Sequence, residues 1–229
     1  MAHDHKKVSY LSDKETVDKV YGLIKSGEID AVVAYFKGLG EDKVLIPKWI
    51  HVQCDINNVC HDPMASSQMS LPGIEYCISK GYKVQAAMML HNTSAFFMPD
   101  FDENVDPEGA KIALAAARKQ LPIRRDLGDA GPLMWSMWDL GLAELVVGNA
   151  DEAIKILSEG EALAFKSDDK DGAAWCKIFI GKAKFLHKTD LKDEWLQDMK
   201  DAGNVILEFG ADWEKKAVSQ IWKAVRIES

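Results

Sequence analysis

His51, Cys54, Cys60 and His61 fall within eleven residues of sequence, and all four side chains are ligands that Zn²⁺ accepts. On a helix His51 and Cys54 share a face at i, i+3, and Cys60-His61 follow on a stretch able to fold back over them. The Cys-x5-Cys-His spacing is wider than the Cys-x2-4-Cys pairs of structural zinc sites. It also departs from the Cys-x-x-Cys-His of haem attachment. A zinc ion on these four residues therefore competes with a plainer reading, in which two thiols are buried as small hydrophobes and the histidines cap helices or face solvent.

Other residues invite chemistry less directly. Asp100, Asp102, Asn104 and Asp106 alternate like the first half of a calcium loop. Val105 stands where that loop needs Gly, however, and Lys111 where it needs a bidentate Glu, so an acidic turn leading into a helix cap is the better description. Met64, Met69, Met88, Met89 and Met98, with Phe96 and Phe97, supply either a core or an adaptable apolar lining for a small molecule or a helix. Arg118, Lys119, Arg124 and Arg125 make a small basic spot around Pro122, suited to an anion or to the negative end of a helix dipole. Trp135, Trp138, Trp175, Trp195, Trp213 and Trp222 crowd the C-terminal half, and Trp135, Trp138 and Trp175 are the candidate partner-binding residues. The sequence has no glycine-rich phosphate loop, no Gly-x-Ser-x-Gly elbow, no His-Glu-x-x-His and no dinucleotide fingerprint, so no catalytic residue and no cofactor is assigned.

The elements that must position these residues read as helices throughout, because apolar residues recur at helical spacing between short Gly, Asp or Asp-Pro breaks. Ser12 and Glu15 form a Ser-x-x-Glu capping box for a first helix carrying Val17, Val20, Tyr21 and Ile24, which stops at Ser26-Gly27. Helices follow at about 28–38 and 44–58, the latter with Pro47 in its first turn. The stretch 57–70 is the least regular. Ser70 and Pro72 open a helix ending at Gly81, and the next runs over 82–97. Asp106-Pro107 starts a helix that Leu121-Pro122 closes. Residues 124–131 read as a hinge, separating N-terminal irregular hairpins at 1–123 from a C-terminal half at 132–229. That half has helices at about 132–147, 150–166, 171–187, 190–209 and 212–227. The expected fold is all-α, with antiparallel hairpins joined by tight turns, in a stacked array or a compact bundle.

Composition narrows the function. A net charge of −8 with 36 acidic residues leaves no basic stripe for nucleic acid. No apolar stretch approaches the length that spans a bilayer, the N-terminus lacks a secretion signal, and the four cysteines are too sparse for a disulfide framework. A cytoplasmic protein is expected.

Residues 140–164 resemble a tetratricopeptide repeat, a helix-turn-helix unit with small residues where its helices cross. The matching residues are Leu140-Gly141, Gly148 in the turn, Ala153-Ile154, Leu157 and Gly160. The motif's Trp falls at Met137, its Tyr at Glu144 and its closing Pro at Phe165. About 40 residues on, Ile180-Gly181 repeats Leu140-Gly141, but Asp193 and Gln197 replace the small and aromatic residues of the second helix. The resemblance implies hairpins stacked in a right-handed superhelix and a groove that binds a peptide or partner protein, with no enzymatic activity. An adaptor, assembly factor or accessory subunit is the function it points to. The helix from 132 to 147 contains no Lys, Arg or Asn with which to clamp a carboxylate. The other expectation is a helical small-molecule or metal-binding protein, or an enzyme of that kind, with a Met/Phe-lined pocket near residues 88–98 and zinc on the His51–His61 cluster.

Overall fold

The computed structural model describes residues 11–98, 106–187 and 192–225, and these form eleven α-helices with no strand among them. They divide into two compact units, Met1–Phe96 and Phe97–Ser229.

In the first unit α1 (Lys14–Lys25), α2 (Ile29–Lys37), α3 (Asp42–Asn58), α4 (Pro63–Ser79) and α5 (Lys83–Ala95) pack around Val20, Phe36, Trp49, Ile56, Met69 and Met89. Asp13, one residue beyond the expected Ser12, caps α1 by accepting from the Thr16 N–H at 2.8 Å. The backbone N–H groups of Leu11 and Ser12 are drawn instead to the buried Asp55 carboxylate at 2.8 and 2.7 Å. The stretch 57–70 is also more regular than its composition suggests. Asp62 caps α4, accepting from the Ala65 N–H at 2.9 Å, with Pro63 in the first turn. The polar residues that follow are satisfied inside the unit: the Ser66 hydroxyl donates to the Gln53 carbonyl at 2.8 Å, and Ser70 pairs with Thr93 at 3.0 Å. Pro47 and Pro72 consequently lie inside α3 and α4 rather than near their starts.

The second unit contains α6 (Pro107–Leu127), α7 (Ala130–Val146), α8 (Ala150–Lys166), α9 (Lys170–His187), α10 (Lys192–Phe209) and α11 (Asp212–Ala224). Each packs against the next in chain order, and α7 also touches α9. Leu121-Pro122 does not close α6. Leu121 is buried in a cluster with Ala117, Met137 and Leu140, and that packing carries the helix past the proline to Gly128, whose φ of 73° ends it. The stretch 124–131 is thus the last turn of α6 and its link to α7, and the division between units falls at Phe96-Phe97.

The same turn recurs. After α1, α4, α7 and α8 a residue with positive φ (Gly27, Gly81, Gly148 and Asp168) donates to the carbonyl three residues back. The residue after it donates five back, as in Asn149 N–H to Glu144 O at 2.8 Å and Asp169 N–H to Ala164 O at 2.9 Å. These paired bonds satisfy the orphan carbonyls of the helix end and reverse the chain tightly, which makes neighbouring helices antiparallel. Close crossing then requires the missing side chain of glycine. A Cβ at Gly141 would lie 2.5 Å from Leu157 Cγ, and one at Gly73 2.6 Å from Met89 Cε. Gly181 faces Met199 in the same way, so Gly141 and Gly181 occupy equivalent crossings in α7–α8 and α9–α10.

Candidate functional site

Alternate helices of the second unit share a face, and on it an aromatic series runs from α7 through α9 to α11. Trp135 meets Trp138 edge to face at 5.7 Å between centroids; both come from α7, three residues apart and hence on one side of the helix. Trp138 meets Trp175 at 6.3 Å and Phe179 at 5.7 Å, both on α9. Trp213 of α11 lies parallel to Trp175, with a 5° interplanar angle and a 6.4 Å centroid separation. Trp175 is 1 % exposed, Trp135 and Trp138 are partly exposed, and Trp213 is 63 % exposed. The structure therefore brings the three candidate partner-binding tryptophans together. It adds Phe179 and Trp213, which sequence reasoning did not select. Trp195 and Trp222 are buried core residues.

Carboxylates line one end of this series. The Trp175 indole N–H donates to Glu214 Oε1 at 3.0 Å, while Glu214 Oε2 accepts from the Ala211 N–H at 2.7 Å and so caps α11. Asp171, in the first turn of α9, has its carboxyl pKa pushed up to about 6, first by burial, then by the charge of Glu214 and a hydrogen bond that the two can share once one is protonated, and then by the charge of Asp169. No sequence motif marks this pair, because its members are 43 positions apart (214 − 171) and meet only when α11 docks on α9.

The zinc candidates are arranged differently. His51 is exposed on α3, and His61 is exposed in the turn to α4 with a φ of 52°. Cys54 is half-buried, accepting weakly from the Asn92 amide at 3.4 Å. Burial raises the pKa of both Cys54 and Cys60, which favours thiols over metal-binding thiolates. Among the described residues no group of three or more His, Cys, Asp or Glu is placed to hold an ion, so the four are not gathered into a donor set. Burial pushes the Cys77 thiol up to about 11 and that of Cys176 to about 12, which removes both as nucleophiles near neutral pH.

Of the calcium-like run, Asp100, Asp102 and Asn104 lie outside the described residues, and Asp106 caps α6 by accepting from Gly109 N–H at 3.0 Å. The basic spot is dispersed. Arg118 donates twice to the buried Glu144, at 2.9 and 2.7 Å, and Arg125 pairs with Glu159 at 3.1 Å. The methionines also separate: Met69 and Met89 fill the core of the first unit, whereas Met64 and Met88 are exposed. The described residues also line open grooves. One of about 560 Å³ lies between the α1–α2 turn and α4, lined by Ile24, Ile29, Met64 and Leu71; another of about 370 Å³ runs over α9 between Phe165 of α8 and Val205 of α10. Among the described residues no helix is long and apolar enough to cross a membrane.

Compared with known protein families and with curated protein sequences, the chain matches none. Its function is therefore argued from its own surface.

Proposed function

We propose that this chain is a non-enzymatic, tetratricopeptide-like adaptor of the cytoplasm, an assembly factor or accessory subunit that holds a segment of another protein against the shared face of α7, α9 and α11. The observation that carries this reading is the aromatic series from Trp135 to Trp213, whose outermost ring is 63 % exposed yet held flat against a buried neighbour. Large exposed aromatic rings bury much apolar area when covered, and Trp and Tyr are enriched among the residues at the centres of interfaces. The equivalent glycine crossings of α7–α8 and α9–α10 support the repeat reading, since they place alternate helices side by side on one face. Four free cysteines suit a reducing compartment.

The test is co-purification from the native source, carried out beside Trp135→Ala and Trp213→Ala variants whose helical circular dichroism matches the parent. A partner retained by the parent and lost by both variants is expected. Equal retention by all three sinks the proposal.

A further inference from the structure

One face of α4 is left uncovered by the rest of the first unit. Met64, Gln68, Leu71, Glu75 and Ile78 stand on it at alternating steps of four and three residues, the spacing of a single seam along a helix. All five are exposed, whereas the opposite side of α4, from Ala65 through Met69 to Cys77, is buried against α3 and α5. Single exposed apolar side chains are ordinary, but Met64, Leu71 and Ile78, at 37, 49 and 52 % exposure, form one strip. Beside its N-terminal half lies the groove of about 560 Å³ walled by Met64, Leu71, Ile24 and Ile29, and at its other end Ile78 stands out to solvent. Turned end for end about Leu71, this strip matches itself. Leu71 then faces Leu71, Ile78 of one copy reaches the groove beside Met64 of the other, and the Gln68 amide stands across from the Glu75 carboxylate as donor to acceptor. Neither of those two polar side chains has a partner among the described residues. Just beyond the strip Lys80, whose ammonium lies 5.9 Å over the Tyr76 ring, comes opposite Asp62, a carboxylate bonded to Lys25 at 3.2 Å and able to take a second cation. Antiparallel pairing also sets the N-terminal end of each α4 against the C-terminal end of the other, the favourable order of helix dipoles. A parallel pairing would instead set Glu75 on Glu75 and Lys80 on Lys80, so charge selects the antiparallel one.

We propose that the exposed face of α4 binds a second copy of this chain, the two helices pairing antiparallel about a two-fold axis at Leu71. One helix-on-helix contact covers less area than a standard interface, so the dimer is weak and forms in the micromolar range. It is independent of the α7, α9 and α11 face.

Sedimentation equilibrium of the full chain, from low micromolar to submillimolar concentration, is expected to show a reversible approach to twice the chain mass. Leu71→Lys, which sets two cations face to face on the axis, is expected to weaken the dimer at least about thirtyfold with unchanged helical circular dichroism. Because each contact occurs twice, Gln68→Lys is expected to tighten the dimer about three- to tenfold by placing an ammonium opposite Glu75, and Gln68→Glu to weaken it by as much. Cross-linking with a short bismaleimide reads the register, with the parent chain and its own free cysteines as the blank. Leu71→Cys is expected to link to itself, whereas Met64→Cys and Ile78→Cys are expected to link only when the two variants are mixed. A chain that stays monomeric throughout overturns the proposal, as does a dimer indifferent to Leu71→Lys. Loosening by both charges at position 68, or linkage of Met64→Cys to itself, overturns the antiparallel pairing on which the proposal depends.

Discussion

Asp168 adopts a φ of 55° in a turn whose three counterparts, Gly27, Gly81 and Gly148, are glycines. A residue with a Cβ is strained there, and aspartate tolerates the left-handed region better than most without matching glycine. Asp168→Gly is expected to raise stability by about 0.5 kcal/mol, the relief of strain being partly offset by the greater freedom of glycine in the unfolded chain. A higher urea midpoint at unchanged slope will show it. Gly141 makes the opposite case. Alanine there improves helix propensity by about 1 kcal/mol, but its Cβ would sit 2.5 Å from Leu157 Cγ, a branch point that cannot swing away without moving α8. Overpacking of this kind costs about 1–3 kcal/mol, so Gly141→Ala is expected to lower the urea midpoint despite the better helix former. Residue types alone disclosed Gly141 as a crossing glycine and left Asp168 unremarked, because strain and close approach are properties of backbone and neighbour.

At the scale of helices, the contact between α6 and α7 depends on Glu144, which is 2 % exposed and accepts from Arg118 on one oxygen and from the Asn149 amide on the other at 2.7 Å. Arg118 is about half exposed, so the Coulomb part of the pair is discounted, and the remaining loss is that of buried hydrogen bonds. Glu144→Ala is expected to cost about 2 kcal/mol, measured by thermal or urea unfolding. Docking of α11 on α9 has a pH signature. Asp171 titrates near 6 in the folded chain against 3.8 for the ordinary side chain, so the native state holds the extra proton between those values. Stability from this group is therefore fully present below about 4 and is lost as pH rises through 6. Asp171→Asn keeps the hydrogen bond without the charge, and its stability relative to the parent is expected to increase from pH 4 to pH 7. A constant difference across that range would show that Asp171 is not held beside Glu214. The sequence indicated where most helices lie and how they end, but placed α4 late and stopped α6 early. Ser66 reads as part of an irregular stretch and Ser70 as a helix opener, yet both lie inside α4 with hydrogen bonds to Gln53 and Thr93, and Pro122 does not end α6 because Leu121 is buried in the core.

For the molecule as a whole, the helices and tight turns predict a far-ultraviolet circular dichroism spectrum with deep helical minima and no sheet component, and a substantial strand signal would contradict the fold. That all-α character was determined by the sequence alone, because the 3.6-residue recurrence of apolar side chains and the Gly, Asp and Asp-Pro breaks are local properties of the chain. The repeat of Leu140-Gly141 at Ile180-Gly181 was legible for the same reason, and the structure gives the two glycines one role. Tertiary structure alone decided which tryptophans form a surface and which form a core. Trp135, Trp213 and Trp222 are chemically identical, yet one face of alternate helices leaves the first partly and the second largely exposed while Gly203 admits Trp222 to the interior. It likewise forms no group of three or more metal ligands from the zinc candidates among the described residues, and it lets Glu214 act on Asp171, since the distance between side chains far apart in sequence is set by how helices pack, which no residue's own type records.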